Sequence, residues 1–206
     1  MKKTVLAIVL SSIALIVALV ALGIFVLKSF FENYINIAKN DQVQTVETSN
    51  LPQIASVEDL SGLVDKIYDG LEFPLQSVQT QTIDLSDSDF VNMITGLENG
   101  NDFEYLVASE PMMSSQAYSL VLAKVKDGVN ANEIAKKMQE NINTRKWVCV
   151  SAEKVYATNS GNVVCLVMSS EELAKPVYEK FKSLAGQVEQ EYEKTEEEPE
   201  LPEDMY

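Results

Sequence analysis

The chain has 206 residues, carries 31 acidic against 16 basic side chains for a formal net charge of −15, and contains no histidine. Without histidine it lacks the usual general base near neutral pH and the commonest zinc ligand. The acidic excess disfavours nucleic acid as a partner, because contacts to phosphates need cations. We therefore expect no catalytic, cofactor or metal residues and no nucleic acid partner.

Residues 5–27 form an uncharged, apolar run near the N-terminus. At about 1.5 Å per residue, a helix of this length spans about 34 Å, enough to cross a hydrocarbon core about 30 Å thick. Lys2 and Lys3 favour a cytoplasmic N-terminus. We predict a single-pass signal-anchor in the cell membrane, with the lipid bilayer as a partner and the remaining chain extracytoplasmic. Cleavage near Ala21-Leu22-Gly23 is the alternative, but the run is too long for a signal peptide.

One face of this predicted helix carries only small side chains. Its members are Ala7, Ser11, Ala14, Ala18 and Ala21. Small residues let transmembrane helices approach closely, so the stripe is a candidate packing face for a second copy or for another membrane or envelope protein. The alternative is that alanine is simply tolerated in lipid.

Composition divides the chain into four segments. They are a cytoplasmic head with the signal-anchor (1–28), a polar stalk (29–55), an extracytoplasmic domain (56–186) and an acidic tail (187–206). The tail contains Pro199 and Pro202 among many glutamates, a composition that cannot bury a core. We predict that the tail is disordered.

Apolar spacing and turn residues predict an α+β fold for residues 56–186. Two helices come first, beginning at Ser56 and Ser86, and a later helix begins at Asn130 with a capping box to Glu133. From residue 103 the order is β-β-α-β-β-α. The predicted strands are 103–109, 117–126, 150–158 and 163–168, and the last helix starts at Ser169. Four mainly antiparallel strands with helices on one face form a two-layer domain.

Two short patterns have the spacing of functional motifs. Ser151 and Lys154 match the S-x-x-K spacing of penicillin-interacting enzymes, but Ser151 is predicted in a strand and the partner motifs are missing. Asp84, Asp87 and Asp89 cluster their carboxylates, but a calcium loop counted from Asp84 lacks the glycine and glutamate that an EF-hand requires. Helix capping explains these aspartates better.

Cys149 and Cys165 are a candidate disulfide, since an extracytoplasmic domain faces an oxidising compartment. The predicted hairpin register pairs Cys165 with Tyr156, which argues against the bridge. Buried free thiols are the alternative, because cysteine packs as a small hydrophobe.

Trp147 follows Arg145 and Lys146 at the predicted end of a helix. Such a group could form a binding surface. Favourable cations at a helix C-terminus beside a half-buried indole are the simpler explanation.

Two segments carry a family resemblance. They are Glu110-Pro111-Met112-Met113 leading into Ala117-Tyr118-Ser119-Leu120, and the strand start Gly161-Asn162-Val163. Together with the order of elements, they resemble a bacterial domain-of-unknown-function family of short proteins with an N-terminal lipid or transmembrane anchor. The chain departs from that family at Thr95-Gly96-Leu97, where an aromatic before the glycine is usual, and in its long acidic tail. The resemblance implies a bacterial, extracytoplasmic setting and no activity.

These observations predict a non-enzymatic, membrane-tethered domain that binds or scaffolds a component of the cell envelope. A ligand-sensing regulator that signals through helix association is one alternative. An unrecognised envelope enzyme is the other, and it would require a polar cleft with a nucleophile and a base.

Overall fold

The computed structural model describes Lys28 and residues 49–72, 78–113 and 115–196. The predicted signal-anchor and its small-residue stripe lie outside the described residues. In the described ranges, no helix combines the length and the apolar character needed to cross a membrane.

Helices and strands alternate along the described chain. The helices are α1 (Val57–Tyr68), α2 (Ser88–Thr95), α3 (Ala131–Asn141) and α4 (Glu171–Ala185). The strands are β1 (Val78–Thr82), β2 (Phe103–Pro111), β3 (Ser119–Val125), β4 (Lys154–Ser160), β5 (Val163–Ser169) and β6 (Tyr192–Thr195). The predicted order β-β-α-β-β-α from β2 to α4 is confirmed.

The strands form one antiparallel sheet in the order β1-β2-β3-β5-β4-β6. The α+β class and the antiparallel pairing are therefore confirmed, but the prediction of four strands is wrong, because the described sheet has six. The two missed strands, β1 and β6, are the two edges. An edge strand pairs on one side only, and these two bury little, so neither shows an apolar alternation in its sequence.

The prediction of two layers is also wrong, because helices cover both faces of the sheet. α2 and α3 pack on one face over a core that includes Phe103 and Ile134. α1 and α4 pack on the other over a core that includes Leu60 and Phe181. β5 is buried at every position and β3 at all but one, which accounts for their nearly continuous apolar sequences.

The described domain extends beyond both predicted boundaries. On the N-terminal side, Ile54 is buried and the Asn50 amide donates to the Ala185 carbonyl at 2.9 Å, so this part of the predicted stalk packs on the domain. On the C-terminal side, β6 lies within the segment predicted to be a disordered tail. That prediction is wrong up to residue 196, where the Glu196 amide donates to the Glu153 carbonyl at 2.8 Å.

Local capping explains the starts of α1, α2 and α3. The prediction that the last helix starts at Ser169 is wrong, because Ser169 ends β5 and the N-cap of α4 is Ser170, which makes no side-chain capping bond. The Ser56 hydroxyl accepts from the Asp59 amide, and the Asn130 side chain accepts from the Glu133 amide, as the sequence predicted. α2 differs in that Asp87, rather than Ser86, is its N-cap.

The two ends of the sheet differ in the loops and chain segments that lie beside them. At the first, which we call the Pro111 end, β2 ends, β1 begins with Val78 opposite Pro111, and the loop from α3 reaches β4. At the second, the Gly161 end, the tight β4–β5 turn lies beside residues 49 and 50 and the end of α4. The chain therefore enters the described fold at the Gly161 end.

Candidate binding surface at the Pro111 end

A buried lysine joins four elements at the Pro111 end. Lys146 lies on the loop between α3 and β4, its side chain is only 5% exposed, and its Nζ is 2.6 Å from Glu110 Oε1 at the end of β2. The same Nζ donates to Ser119 Oγ in β3 at 3.4 Å and to the Met93 carbonyl of α2 at 3.5 Å. The ammonium group thus fixes β2, β3, α2 and the loop relative to one another.

The surroundings of Lys146 have opposing effects on its charge. Burial lowers the pKa of Lys146, because a desolvated ammonium is disfavoured, and the Glu110 carboxylate opposes that shift. Nζ also lies 5.3 Å from the centre of the Trp147 ring, within the range of a cation–π contact. Trp147 itself packs against the core on the α2 and α3 face. The prediction that it follows a helix end directly is wrong, since α3 ends at Asn141.

Four residues with exposed apolar side chains contact this lysine through the backbone or lie close to the Lys146–Glu110 pair along the chain. In the described ranges, the exposed large hydrophobic residues are Met93 (41%), Met112 (71%), Met113 (72%) and Val148 (67%). The backbone carbonyl of Met93 accepts from Lys146, and the other three residues lie within three positions of Lys146 or Glu110 along the chain. We call these four residues the methionine patch.

The methionine patch contrasts with the rest of the domain surface. Residues 49–196 carry 23 acidic and 12 basic side chains, so the charged groups of the domain are predominantly acidic. Clustered exposed apolar side chains mark interaction sites in soluble domains. Methionine is unbranched and polarizable, so it adapts to the shape of an apolar partner. The arrangement is suited to binding an apolar surface.

Backbone geometry holds two parts of the patch in place. Gly96 ends α2 with φ of 75°, and a Cβ atom there would lie 2.5 Å from the Ile142 backbone nitrogen. The end of α2 that bears Met93 can therefore approach the loop after α3 only because residue 96 is glycine. In that loop, the Ala152 amide donates to the Thr144 carbonyl at 2.8 Å and closes the segment that presents Val148.

Both cysteines are free thiols in the structure, so the candidate disulfide is not formed. Cys149 is exposed on the loop with φ of 62°, whereas Cys165 is fully buried in β5 on the α1 and α4 face. Cys165 pairs with Thr158 rather than with the predicted Tyr156. Burial raises the pKa of the Cys165 thiol far above its usual range, so this thiol stays protonated and unreactive.

The S-x-x-K residues have structural positions. Ser151 lies in the exposed loop, and the prediction of a strand there is wrong because β4 begins at Lys154. Lys154 Nζ donates to Glu193 Oε1 at 2.7 Å and to Thr195 Oγ1 at 2.8 Å, which attaches β6 to β4. The hydrogen bond to Glu193 raises the pKa of Lys154 and keeps it cationic.

The clustered aspartates cap a turn and a helix. Asp84 Oδ1 accepts from the Ser86 amide and hydroxyl, which lowers the pKa of Asp84, and Asp87 Oδ1 accepts from the Phe90 amide at 3.0 Å. Within the ranges that the structure describes, no group of three or more histidine, cysteine or acidic side chains could hold a metal ion.

Ser119 beside Lys146, with 3.4 Å between Oγ and Nζ, has the composition of a nucleophile with a base. Ser119 has no exposed surface, and the Lys146 ammonium is paired with Glu110. A hydroxyl that no substrate can touch does not serve as a nucleophile. This contact is therefore structural.

Sequence reasoning identified only part of the candidate surface. The segment 110–113 drew notice only through the family resemblance. Lys146 was noted beside Trp147, in a group that could form a binding surface but is explained more simply by cations at a helix end. The available signal was the adjacent methionine pair in a segment between two strands, where polar residues are usual. No protein-family model matches the chain, and no curated protein or solved structure matches it either.

Proposed function

We propose that the chain is a membrane-tethered extracytoplasmic domain of the bacterial cell envelope that binds a partner protein through the methionine patch. The observation that carries this proposal is the gathering of Met93, Met112, Met113 and Val148 around the buried Lys146–Glu110 pair. The ion pair fixes the backbone beneath the patch, while the side chains above it remain free to adapt.

The charge of the domain favours a protein over a lipid surface as the partner. The acidic exterior disfavours anionic headgroups. An apolar surface on another envelope protein does not have this disadvantage.

Site-specific photocrosslinking tests the patch. The full-length chain, with benzoylphenylalanine at position 113, is irradiated in its native membrane, and adducts are identified by mass spectrometry. A second chain carries the same group at position 133, where Glu133 is 65% exposed at the start of α3, as the matched control. We expect one partner from position 113, absent from position 133, and lost when Met93→Ser and Met112→Ser are added. The same adducts from both positions would contradict the proposal.

Protease protection tests the location. Protease added to intact protoplasts should remove the acidic domain of the full-length chain. Deleting the anchor also removes the export signal, so the domain of that variant should stay protected until the protoplasts are lysed. A full-length chain whose domain stays intact until the membrane is lysed would refute an extracytoplasmic site.

A further inference from the structure

Among the residues that the structure describes, the edge strand β1 lacks the usual protection. Its sequence, Val78-Gln79-Thr80-Gln81-Thr82, contains no charge and no proline, and its side chains are half-buried or exposed. In the part of the chain that the structure describes, no backbone hydrogen bond reaches its outer side. Edges of this kind are templates for an added strand, and proteins normally block them with charges, proline or a cover.

The hydrogen-bonding alternation shows which groups face outward. The Ile83 amide donates to the Leu106 carbonyl at 2.9 Å, so Ile83 points toward β2. Since direction alternates along a strand, Gln79 and Gln81 also bond β2. Val78, Thr80 and Thr82 therefore direct their N–H and C=O groups away from the sheet. The pairing of Val78 with Pro111, which has no N–H, agrees with this assignment.

The opposite edge is protected. β6 carries Glu193, which bonds Lys154, and Lys194, which pairs with Glu196. Charged side chains on an edge strand discourage pairing with another chain. The contrast makes β1 the edge that is open to a partner.

The ends of β1 indicate what an added strand would carry. At the Pro111 end, Val78 lies opposite Pro111, and the next two residues along that neighbouring segment are the exposed Met112 and Met113. At the other end, β1 is followed by the exposed acids Asp84, Asp87 and Asp89. An antiparallel added strand would start beside these carboxylates and finish at the methionine patch. Basic side chains in the first half of the added strand would complement the carboxylates, and apolar side chains in its second half would complement the methionine patch.

We propose that β1 accepts an extended polypeptide segment of the partner as an added antiparallel strand, basic in its N-terminal half and apolar in its C-terminal half. This inference rests on the proposed function, because the apolar half occupies the methionine patch. Main-chain hydrogen bonds from Val78, Thr80 and Thr82 provide affinity, and the two flanking surfaces provide direction and selectivity.

A matched pair of variants isolates the edge. Thr80→Pro removes the outward N–H of residue 80 without removing a bond to β2, and proline is tolerated at such edge positions. Thr80→Val is the control, since both variants lose the hydroxyl that donates to Ser109 but only one loses the amide. Retained circular dichroism and Tm in both variants establish that the sheet is intact.

The probe is a fluorescein-labelled peptide, Lys-Val-Lys-Val-Lys-Val-Leu-Met-Leu, added to the full-length chain in phosphatidylcholine nanodiscs. We expect the peptide to bind saturably to wild type and to Thr80→Val. For Thr80→Pro, the dissociation constant should be at least about tenfold higher. A peptide N-methylated at alternate valines, and one of reversed sequence, should each bind about tenfold more weakly.

The outcomes separate the two proposals. Absent binding to wild type, or equal binding to Thr80→Pro and Thr80→Val, overturns the added strand. In that case a crosslink from position 113 that persists in Thr80→Pro leaves the proposed function standing. A dimer of the free chain that only Thr80→Pro abolishes would assign the edge to a second copy and also overturn this inference.

Discussion

Replacing Lys146 with methionine should destabilise the domain by about 2–3 kcal/mol. The change keeps an unbranched side chain of similar length, so it removes the ammonium group and little packing. Removing one partner of a buried ion pair costs about 3–5 kcal/mol when the remaining charge is fully desolvated. Glu110 is 17% exposed and regains some water, which places the cost at or just below the lower limit of that range.

A matched substitution separates burial from charge. Lys175 pairs with Glu171 at 3.4 Å on the surface of α4, where the two side chains are 58% and 46% exposed. Lys175→Met should cost less than about 0.5 kcal/mol, because exposed pairs of this spacing contribute little. Adding Glu110→Leu to Lys146→Met should restore most of the lost stability, since an apolar pair replaces an uncompensated buried charge.

Urea unfolding of the full-length chain in mild detergent provides the measurement. Trp147 is the only tryptophan, so its fluorescence reports on the environment of Lys146, and far-ultraviolet circular dichroism reports on the whole domain. A Lys146→Met variant as stable as Lys175→Met would refute the reasoning. So would a double variant that is less stable than Lys146→Met alone.

Two further predictions concern Gly96 and Cys165. Gly96→Ala should lower the free energy of unfolding in urea by about 2–4 kcal/mol, because its Cβ would meet the Ile142 backbone at 2.5 Å. The control Gly70→Ala, with φ of 73° and open space around it, should cost only about 1 kcal/mol. Equal costs would contradict the close approach at Gly96. Burial raises the pKa of Cys165 in the folded state, whereas the thiol of the unfolded chain ionises near about pH 8.5. The stability that the protonated thiol contributes is therefore complete below about pH 8.5. It falls by up to about 1.4 kcal/mol for each pH unit above that value. Wild type should therefore lose stability faster than Cys165→Ala between pH 9 and 10.5, and parallel profiles would contradict the burial of an un-ionised thiol.

The elements that the sequence predicted are those whose burial produces a pattern. α1 and α3 combine an apolar face with a side-chain cap at Ser56 or Asn130, and both signals are local. The central strands β3 and β5 are continuously apolar because both faces are covered. In the structure, this continuous burial reflects the three layers. In the sequence, a short apolar run alone does not distinguish a strand buried on two faces from one buried on a single face, so the third layer was not predicted.

The edges and the candidate surface could not be predicted for a different reason. β1 and β6 form because a neighbouring strand supplies their hydrogen bonds, and their side chains bury little. The Lys146–Glu110 contact joins residues far apart in sequence, and nothing local to either predicts the other. The methionine patch depends on that contact and on the close approach at Gly96, which together hold three separate segments at one end of the sheet.

The arrangement at the Gly161 end bears on how the domain would respond to mechanical load. Ser49 Oγ lies 2.9 Å from Ser160 Oγ, and the Asn50 amide donates to the last carbonyl of α4. Tension arriving from the N-terminal side would therefore act first on these two contacts and next on the buried Ile54, before the backbone carried it to α1 and the strands that follow. A short stretch of chain could peel away and absorb extension while the sheet, and the surface at its other end, kept their shape.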